Sequence, residues 1–198
     1  MKAGIQLNGE APSKIDCDFL VCCDGGYDYL KAKNITPDVL LGDMDSVKST
    51  VDMDVIKFKP EKDATDGELA VDYLIKKGVS EIEFYGVFGG RPDHVEGNYN
   101  LLYKAFLSGV KAVAVSDYWT MEITDKPFTM KNAKNKTISV VPFLDFVHIN
   151  GQKGLKYPMD DLTISKGSTI GISNFALNDE ITINIDRGVA MIFVINRG

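Results

Sequence analysis

Apolar and polar positions alternate in blocks along the first half of the chain. Ala3 to Leu7 reads as a short strand. Phe19-Leu20-Val21-Cys22-Cys23 is a continuous apolar run that stops at Asp24-Gly25-Gly26, and Tyr27 to Ala32 suits a helix. Val39 to Leu41 and Val55 to Phe58 are two further short apolar runs. Thr65 to Lys77 carries apolar residues at helical spacing and stops at Gly78. Ile82 to Phe88 predicts a strand ending in Gly89-Gly90, Asn98 to Leu107 a helix closed by Gly109, and Val110 to Val115 a strand. Only Ser13 to Cys17 separate the loop after the first strand from the second, too short for a crossover helix. Strands alternating with helices predict βαβ units, hence a mostly parallel, Rossmann-like α/β sheet covered on both faces.

From about Trp119 onward the pattern changes. No long helix is visible. Short β-rich runs follow one another: Thr137 to Val141, Phe146 to Ile149, Ser168 to Ile172, Ile181 to Ile185 and Val189 to Ile195. Turn-type pairs punctuate them: Asn150-Gly151, Lys166-Gly167, Asn178-Asp179 and Arg187-Gly188. This pattern predicts an antiparallel β-sandwich. The chain therefore divides into an α/β domain over residues 1–118 and a β-sandwich over 119–198, with no internal repeat and no low-complexity segment.

Composition narrows the partners. The chain has 198 residues, 44% hydrophobic and 25% charged, with a formal net charge of −6. That balance argues against nucleic acid as a partner, although a bound divalent cation can reverse the local sign at an anionic substrate. The three cysteines, Cys17, Cys22 and Cys23, make a poor disulfide framework and no CxxC zinc spacing. They read as small apolar residues kept reduced in a cytoplasm. There is no apolar run of signal-peptide or membrane-span length.

The aspartates of the first half are not scattered. Asp24 follows the second predicted strand, Asp43 and Asp45 the third, Asp63 and Asp66 the fourth, and Asp93 the strand ending at Gly89-Gly90. In an open α/β sheet the carboxyl ends of the strands form the ligand crevice, so these carboxylates converge there. Two carboxylates about 4 Å apart repel by roughly 4 kcal/mol at an effective dielectric near 20. Several together call for a cation, a raised pKa, or both. Oxygen donors without histidine or cysteine favour Mg²⁺ or Ca²⁺, and Mg²⁺ commonly bridges carboxylates to nucleotide phosphates. Gly25-Gly26 and Gly89-Gly90 lie between strand and helix, where the backbone can approach a phosphate, and Arg91 supplies a fixed cation. Taken singly, Asp24, Asp63 and Asp66 read as helix caps, His94 as structural, His148 as strand packing and Trp119 as core. Their co-occurrence at successive strand ends outweighs that reading. Neither GxxxxGK followed by Ser or Thr nor GxGxxG is present.

Taken in order, these motifs resemble those of the thiamine pyrophosphokinase family. Asp24-Gly25-Gly26 resembles its DGG element. Pro37-Asp38 through Gly42-Asp43-Met44-Asp45-Ser46 resembles its PD…GDFDS element, with Met44 in place of Phe. Asp63-Ala64-Thr65-Asp66-Gly67-Glu68 resembles DxTDxE, and Gly89-Gly90-Arg91-Pro92-Asp93-His94, followed by Asn98, resembles GGRxDH. Asn8-Gly9-Glu10-Ala11-Pro12 is similar to its N-terminal NGE loop, Gly154 to Pro158 to its GLKYP element, and Ser173-Asn174 to its SN element. Asp117-Tyr118-Trp119-Thr120, and Phe175 after Asn174, depart from the family pattern.

The resemblance implies an enzyme that moves the pyrophosphoryl group of Mg-ATP onto the hydroxyl of thiamine, giving thiamine diphosphate and AMP. It implies that Asp43, Asp45 and Asp66 hold Mg²⁺ and the phosphates, with Arg91 and Asp93 completing the catalytic set. Asp24, Gly25, Gly26, Asp63, Thr65, Gly90, Arg91, His94 and Asn98 would bind ATP. Tyr157, Ser173 and Asn174 would bind thiamine, the tyrosine by stacking on a flat cation. It further implies a cytoplasmic homodimer with thiamine at the interface. Asp45 and Asp93 are both candidates for the base at the thiamine hydroxyl. The alternatives are a related pyrophosphokinase acting on another hydroxymethyl heterocycle such as a pterin, a thiamine- or nucleotide-binding protein without turnover, or a generic Mg²⁺-dependent phosphohydrolase.

Overall fold

The structure, a computed structural model, describes residues 1–42, 50, 55–57 and 64–196. Asp43, Asp45 and Asp63 lie outside the described residues. The chain divides into two compact units, Met1–Asp117 and Tyr118–Gly198.

The first unit contains strands β1 (Lys2–Gln6), β2 (Phe19–Cys23), β3 (Val39–Gly42), β4 (Val55–Lys57), β5 (Glu81–Tyr85) and β6 (Lys111–Val115), and helices α1 (Gly26–Ala32), α2 (Asp66–Lys76) and α3 (Pro92–Leu107). All its pairings are parallel, in the order β6-β5-β1-β2-β3-β4. The continuous apolar runs follow from burial on both faces: Val21, Cys22, Ile82 and Phe84 are fully buried. No helix lies between β1 and β2. The connecting loop is instead tied down at Ser13, whose N–H and hydroxyl both donate to the Asp117 carboxylate at 2.7 Å.

Two element ends differ from the sequence expectation. β5 stops at Tyr85 because Gly86 turns to φ +65, so Val87 and Phe88 belong to a loop. α3 begins at Pro92 rather than near Asn98. Proline needs no N–H at the first helical position and its ring presets the helical φ, so Pro92 opens the helix instead of preventing it.

The second unit contains β7 (Trp119–Thr124), β8 (Phe128–Met130), β9 (Thr137–Lys153), β10 (Leu162–Ser165), β11 (Asn174–Phe175) and β12 (Ile181–Ile195), all paired antiparallel within the unit. Two long strands replace the four short ones that the turn-type pairs suggested. β9 and β12 pair along almost their whole length, and the register shifts at Asn184/Ile185, Ile185/Arg187 and Gly188/Ala190. Asn150 and Asp186 are the extra residues at two of these shifts, so Asn150-Gly151 and Arg187-Gly188 mark bulges, not turns. The bulges bend the two-stranded ribbon, and both halves contribute to one core, with Ile138, Val140 and Ile192 from one half and Val147, Ile149 and Ile183 from the other. Ser168 to Ile172, expected as a strand, is a turn; β10 precedes it and β11 follows it.

His148 packs within β9 as the pattern suggested, 6% exposed, but it is not surrounded by apolar groups alone. Its Nδ1 stands 2.6 Å from Asp186 Oδ1 and its Nε2 3.3 Å from Asp161 Oδ1. The bulge turns the Asp186 side chain toward the ring, and the hydrogen bond from His148 holds that carboxyl below the usual range. Among the described residues no helix is long and apolar enough to cross a membrane.

The feature of this fold that places a site is the meeting of the loops after β1 and β5. β1 pairs with β2 on one side and β5 on the other, and the connections leave in opposite directions. This is the switch point at which open α/β sheets form their crevice. Leu7 N donates to Tyr85 O at 2.9 Å, and beyond that bond Gly9 packs directly on the β5 loop. A methyl group added at Gly9 would strike Gly86 O and stand 2.6 Å from Phe88 O. Both obstructions are backbone and cannot rotate away. Gly9→Ala is therefore expected to destabilise the first unit by roughly 1–3 kcal/mol, the range for overpacking, in urea unfolding. An unchanged midpoint would mean that the two loops separate easily.

Candidate active site

A cavity of about 650 Å³ opens at this switch point, above the carboxyl ends of β1, β2 and β5. Its deepest support is Gln6, the last residue of β1, which is fully buried. The Gln6 Nε2 donates to Leu7 O and to Gly9 O, each at 2.8 Å, and so closes the loop after β1 into a tight turn. Gly26 presses on the same side chain: a methyl group there would lie 3.0 Å from Gln6 Cγ and 2.7 Å from Leu7 O.

Asp24, at the end of β2, has φ +32, a conformation that side-chain-bearing residues rarely adopt. Its N–H donates to Leu41 O at 2.9 Å and its carbonyl accepts from Tyr27 N at 3.1 Å, so β3 and α1 hold it there. The carboxylate leans over Gly42, where an added methyl would be 2.6 Å from Oδ1. Asp24 therefore faces the point from which the chain leaves toward Asp43. A strained, over-determined polar residue at a strand end is a common mark of a functional site.

At α2 the cap is Thr65, not Asp66. Thr65 Oγ1 accepts from Glu68 N at 3.3 Å, while Asp66 occupies the first helical position and lines the cavity. Glu68 is spent elsewhere, on Lys104 of α3 at 2.9 Å. On the β5 side, Gly89 and Gly90 lead with positive φ into Arg91, the N-cap of α3. The Arg91 guanidinium grips Asp93, with Nε donating to Oδ1 at 3.1 Å and Nη2 to Oδ2 at 2.6 Å. Both side chains are largely exposed. The Arg91 hydrogen bonds hold the Asp93 carboxyl below the usual range, and His94 N also donates to Asp93 Oδ1. Asn98 Nδ2 donates to Val87 O at 2.8 Å, which moors the β5 loop to α3.

Of the residues expected at an ATP site, Asp24, Gly25, Thr65, Asp66, Gly90, Arg91, Asp93, His94 and Asn98 line this one cavity. Gly26 does not; it lies behind, against Gln6 and Leu7. The cavity also uses Leu7, Asn8, Cys23, Gly67, Gly97 and Leu101, to which the pattern assigned no role. The signal for Asn8 was the NGE loop. For Gly97 and Leu101 it was their helical spacing from His94, a stripe that looks like ordinary helix packing. Cys23 is a wall and not a reagent, because burial pushes its thiol far up.

The second unit carries its own cavity, of about 380 Å³, lined by Tyr157, Pro158, Met159, Asp160, Leu162, Ile170, Ile172 and Asn174. Asn174 is buried and committed to the backbone: Oδ1 accepts from Tyr157 N and Phe175 N, and Nδ2 donates to Tyr157 O. It holds the Tyr157 turn. Tyr157 is 53% exposed, and one face of its ring carries Lys156 Nζ at 5.2 Å from the centroid. Ser173, at φ +63, donates its N–H to Ser139 Oγ and does not line the cavity.

The Arg91–Asp93 pair can be tested by titration. A carboxyl whose folded value is depressed contributes its stabilisation above the unfolded value, ~3.9, and loses it as pH falls through the lower folded value. Carboxyl-resolved NMR should show Asp93 titrating below the ordinary carboxylate range, and Arg91→Gln should move it back up. Identical titration in both proteins would mean that the pair does not form in solution.

Comparison with known proteins bears on both units. The family profile described as thiamin pyrophosphokinase, catalytic domain, matches residues 14–114, and that described as thiamin pyrophosphokinase, vitamin B1 binding domain, matches residues 126–190. The chain is 31% identical over 175 residues to thiamine pyrophosphokinase of Bacillus subtilis, covering 84% of this chain and 82% of that one. The crystal structure of the Bacillus subtilis enzyme superposes with a TM-score of 0.87 at 25% identity, covering all of both chains. That of thiamin pyrophosphokinase from Geobacillus thermodenitrificans superposes with 0.80 at 26% identity, covering 100% of this chain and 99% of that one. With profile matches in both compact units and a relative similar over most of its length, the chain belongs to the thiamine pyrophosphokinase family.

Proposed function

We propose that this protein transfers the pyrophosphoryl group of ATP to the hydroxyl of thiamine, releasing AMP. The observation that carries the reading is the cavity at the switch point, which brings the Gly89-Gly90 loop, Arg91 and the carboxylates of Asp24 and Asp66 to one place. A polyphosphate suits glycine backbone and a guanidinium. Carboxylates suit it only with a cation between. The donor set fits Mg²⁺: the acidic groups lining the cavity are aspartates, and Mg²⁺ takes oxygen donors. Asp66 would hold the ion together with Asp43 and Asp45, and Asp24 and Asp63 would lie beside them. Bound there, Mg²⁺ would neutralise charge on the polyphosphate.

In the reaction the thiamine hydroxyl oxygen forms a bond to the β-phosphorus in line, and the bond from that phosphorus to the oxygen bridging to the α-phosphorus breaks. AMP leaves with that oxygen. Most of the catalysis would come from alignment and charge stabilisation. Arg91 would turn from Asp93 to the phosphate oxygens. Thr65, Gly25, Gly90, His94 and Asn98 would shape the nucleotide site, Asn98 by holding the β5 loop. The hydroxyl proton needs an acceptor. Asp45 and Asp93 are the candidates, and Asp93 is a weak base only while Arg91 grips it.

The second cavity would take thiamine. Tyr157 offers an aromatic face, and thiamine as a cation would use the face that Lys156 leaves open. Asn174 would act by fixing the Tyr157 turn, with Ser173 beside it. The reading brings with it a homodimer, for which Ile170 (66% exposed), Ile172 and Leu177 give the second unit apolar surface. A mass of 21.8 kDa in sedimentation under assay conditions would remove the dimer.

Product analysis with Mg-ATP, with and without thiamine, tests the function. AMP and thiamine diphosphate should form one for one, and only with thiamine present. Asp43→Asn and Asp45→Asn should each lower kcat at least a hundredfold, about 2.7 kcal/mol, with unchanged unfolding midpoints. ADP or free phosphate as product, or turnover of a pterin alcohol in place of thiamine, would refute the assignment.

A further inference from the structure

Gly97 lies in the second turn of α3, clear of both helix ends. Glycine inside a helix is unfavourable relative to alanine, so the position calls for a reason. Packing supplies that reason elsewhere: at Gly67 an added methyl would lie 2.5 Å from Leu101 Cδ1. At Gly97 packing supplies none: apart from its chain neighbours and the surrounding helix backbone, no heavy atom of the described residues would lie within 4 Å of an added methyl. Yet Gly97 lines the switch-point cavity, between His94 one turn before it and Leu101 one turn after it. Spacings of three and four residues put these three on one face of the helix. The wall that α3 gives the cavity is therefore bare backbone at its centre.

The two ends of the cavity differ in chemistry. Arg91 and Gly90 lie at the start of α3, where anionic oxygens are matched. Farther along, Leu7 and Leu101 meet beside Gly67 and add apolar surface next to the Asp66 carboxylate. A ligand with a polyanionic end and a flat heterocyclic end matches this polarity in one orientation.

We propose that Gly97 is a specificity-determining residue for the nucleotide, with the base-and-ribose end of the nucleoside triphosphate lying on the exposed backbone of α3. This rests on the nucleotide reading given above. A ring can reach van der Waals distance of helix backbone only where no side chain stands. Glycine at this position sets how close the nucleoside comes, and any side chain shortens the cavity from the heterocycle end while leaving the phosphate end intact.

Gly97→Ala and Gly97→Leu test this, because the described residues leave open space around an added Cβ. Both variants should melt no lower than the parent. The KM for ATP should rise several-fold in Gly97→Ala and tenfold or more in Gly97→Leu, with the KM for thiamine unchanged. Inorganic tripolyphosphate, which lacks the nucleoside, should inhibit parent and Gly97→Leu with the same constant. An unchanged ATP KM in Gly97→Leu overturns the proposal, as does an equal rise in the thiamine KM. A tripolyphosphate constant that weakens with the ATP KM overturns it too, by putting phosphate at Gly97. A parent that neither turns over nor binds Mg-ATP in calorimetry overturns the nucleotide reading itself. An active parent with an indifferent Gly97→Leu overturns only the role of Gly97.

Discussion

The site depends on one close backbone contact, that of the loop after β1 with the loop after β5. Gly9 and Gly86 meet at a distance that no side chain permits, and the Gln6 amide ties off the turn between Leu7 and Gly9. The arrangement is not free. Gln6 Oε1 is buried and has no partner among the described residues, and an unpaired buried acceptor costs about 1–3 kcal/mol. A leucine would fill that space without this cost, but it could not hold two carbonyls. The polar side chain at the centre of the sheet thus gives up stability to fix loop geometry, and Asn8, Gly90 and Arg91 inherit their positions from it. Asp24, held in a strained conformation by β3 and α1, is a second instance of stability given up for position.

The Arg91–Asp93 pair at the mouth of the cavity is an exchangeable one. Arg91 has a partner in Asp93 when nothing else is offered, and both side chains stay exposed. An exposed ion pair is weak, because water and salt screen it. Under the proposed function, a polyphosphate with a divalent ion would compete for the guanidinium with more charge than one carboxylate carries. The cation is thus kept oriented without being kept committed, and releasing it is cheap. The buried thiols of Cys22 and Cys23 take no part, since burial suppresses their ionisation.

The parallel half of the fold was legible because burial on both faces leaves uninterrupted apolar runs, and Phe19 to Cys23 is β2 from end to end. The start of α3 was not, because Pro92 reads equally as a loop residue and as a first helical residue. Only its neighbours in space decide between the two. The second unit was legible in class and wrong in detail. Asn150-Gly151 and Arg187-Gly188 are what a hairpin turn would show, and in a long bent strand the same residues accommodate bulges. Polar residues that line the cavity could be named from their places at strand ends. Leu7, Gly97 and Leu101 could not, because an apolar residue or a glycine facing a cavity has the same local pattern as one facing a core.

The long pairing of β9 with β12 bears on how the protein is made. β7, β8 and β9 are all synthesised before β12, and each is paired with it in the finished sheet. Until β12 arrives, the 17 residues of β9 have most of one edge unfilled, and an unfilled, strongly apolar edge is a template for pairing with another chain. Contacts this distant in sequence also form slowly. The second unit therefore has a period of exposure during biogenesis, in which cooler growth or a chaperone that shields strand edges raises the yield of folded chains without changing the stability of the product.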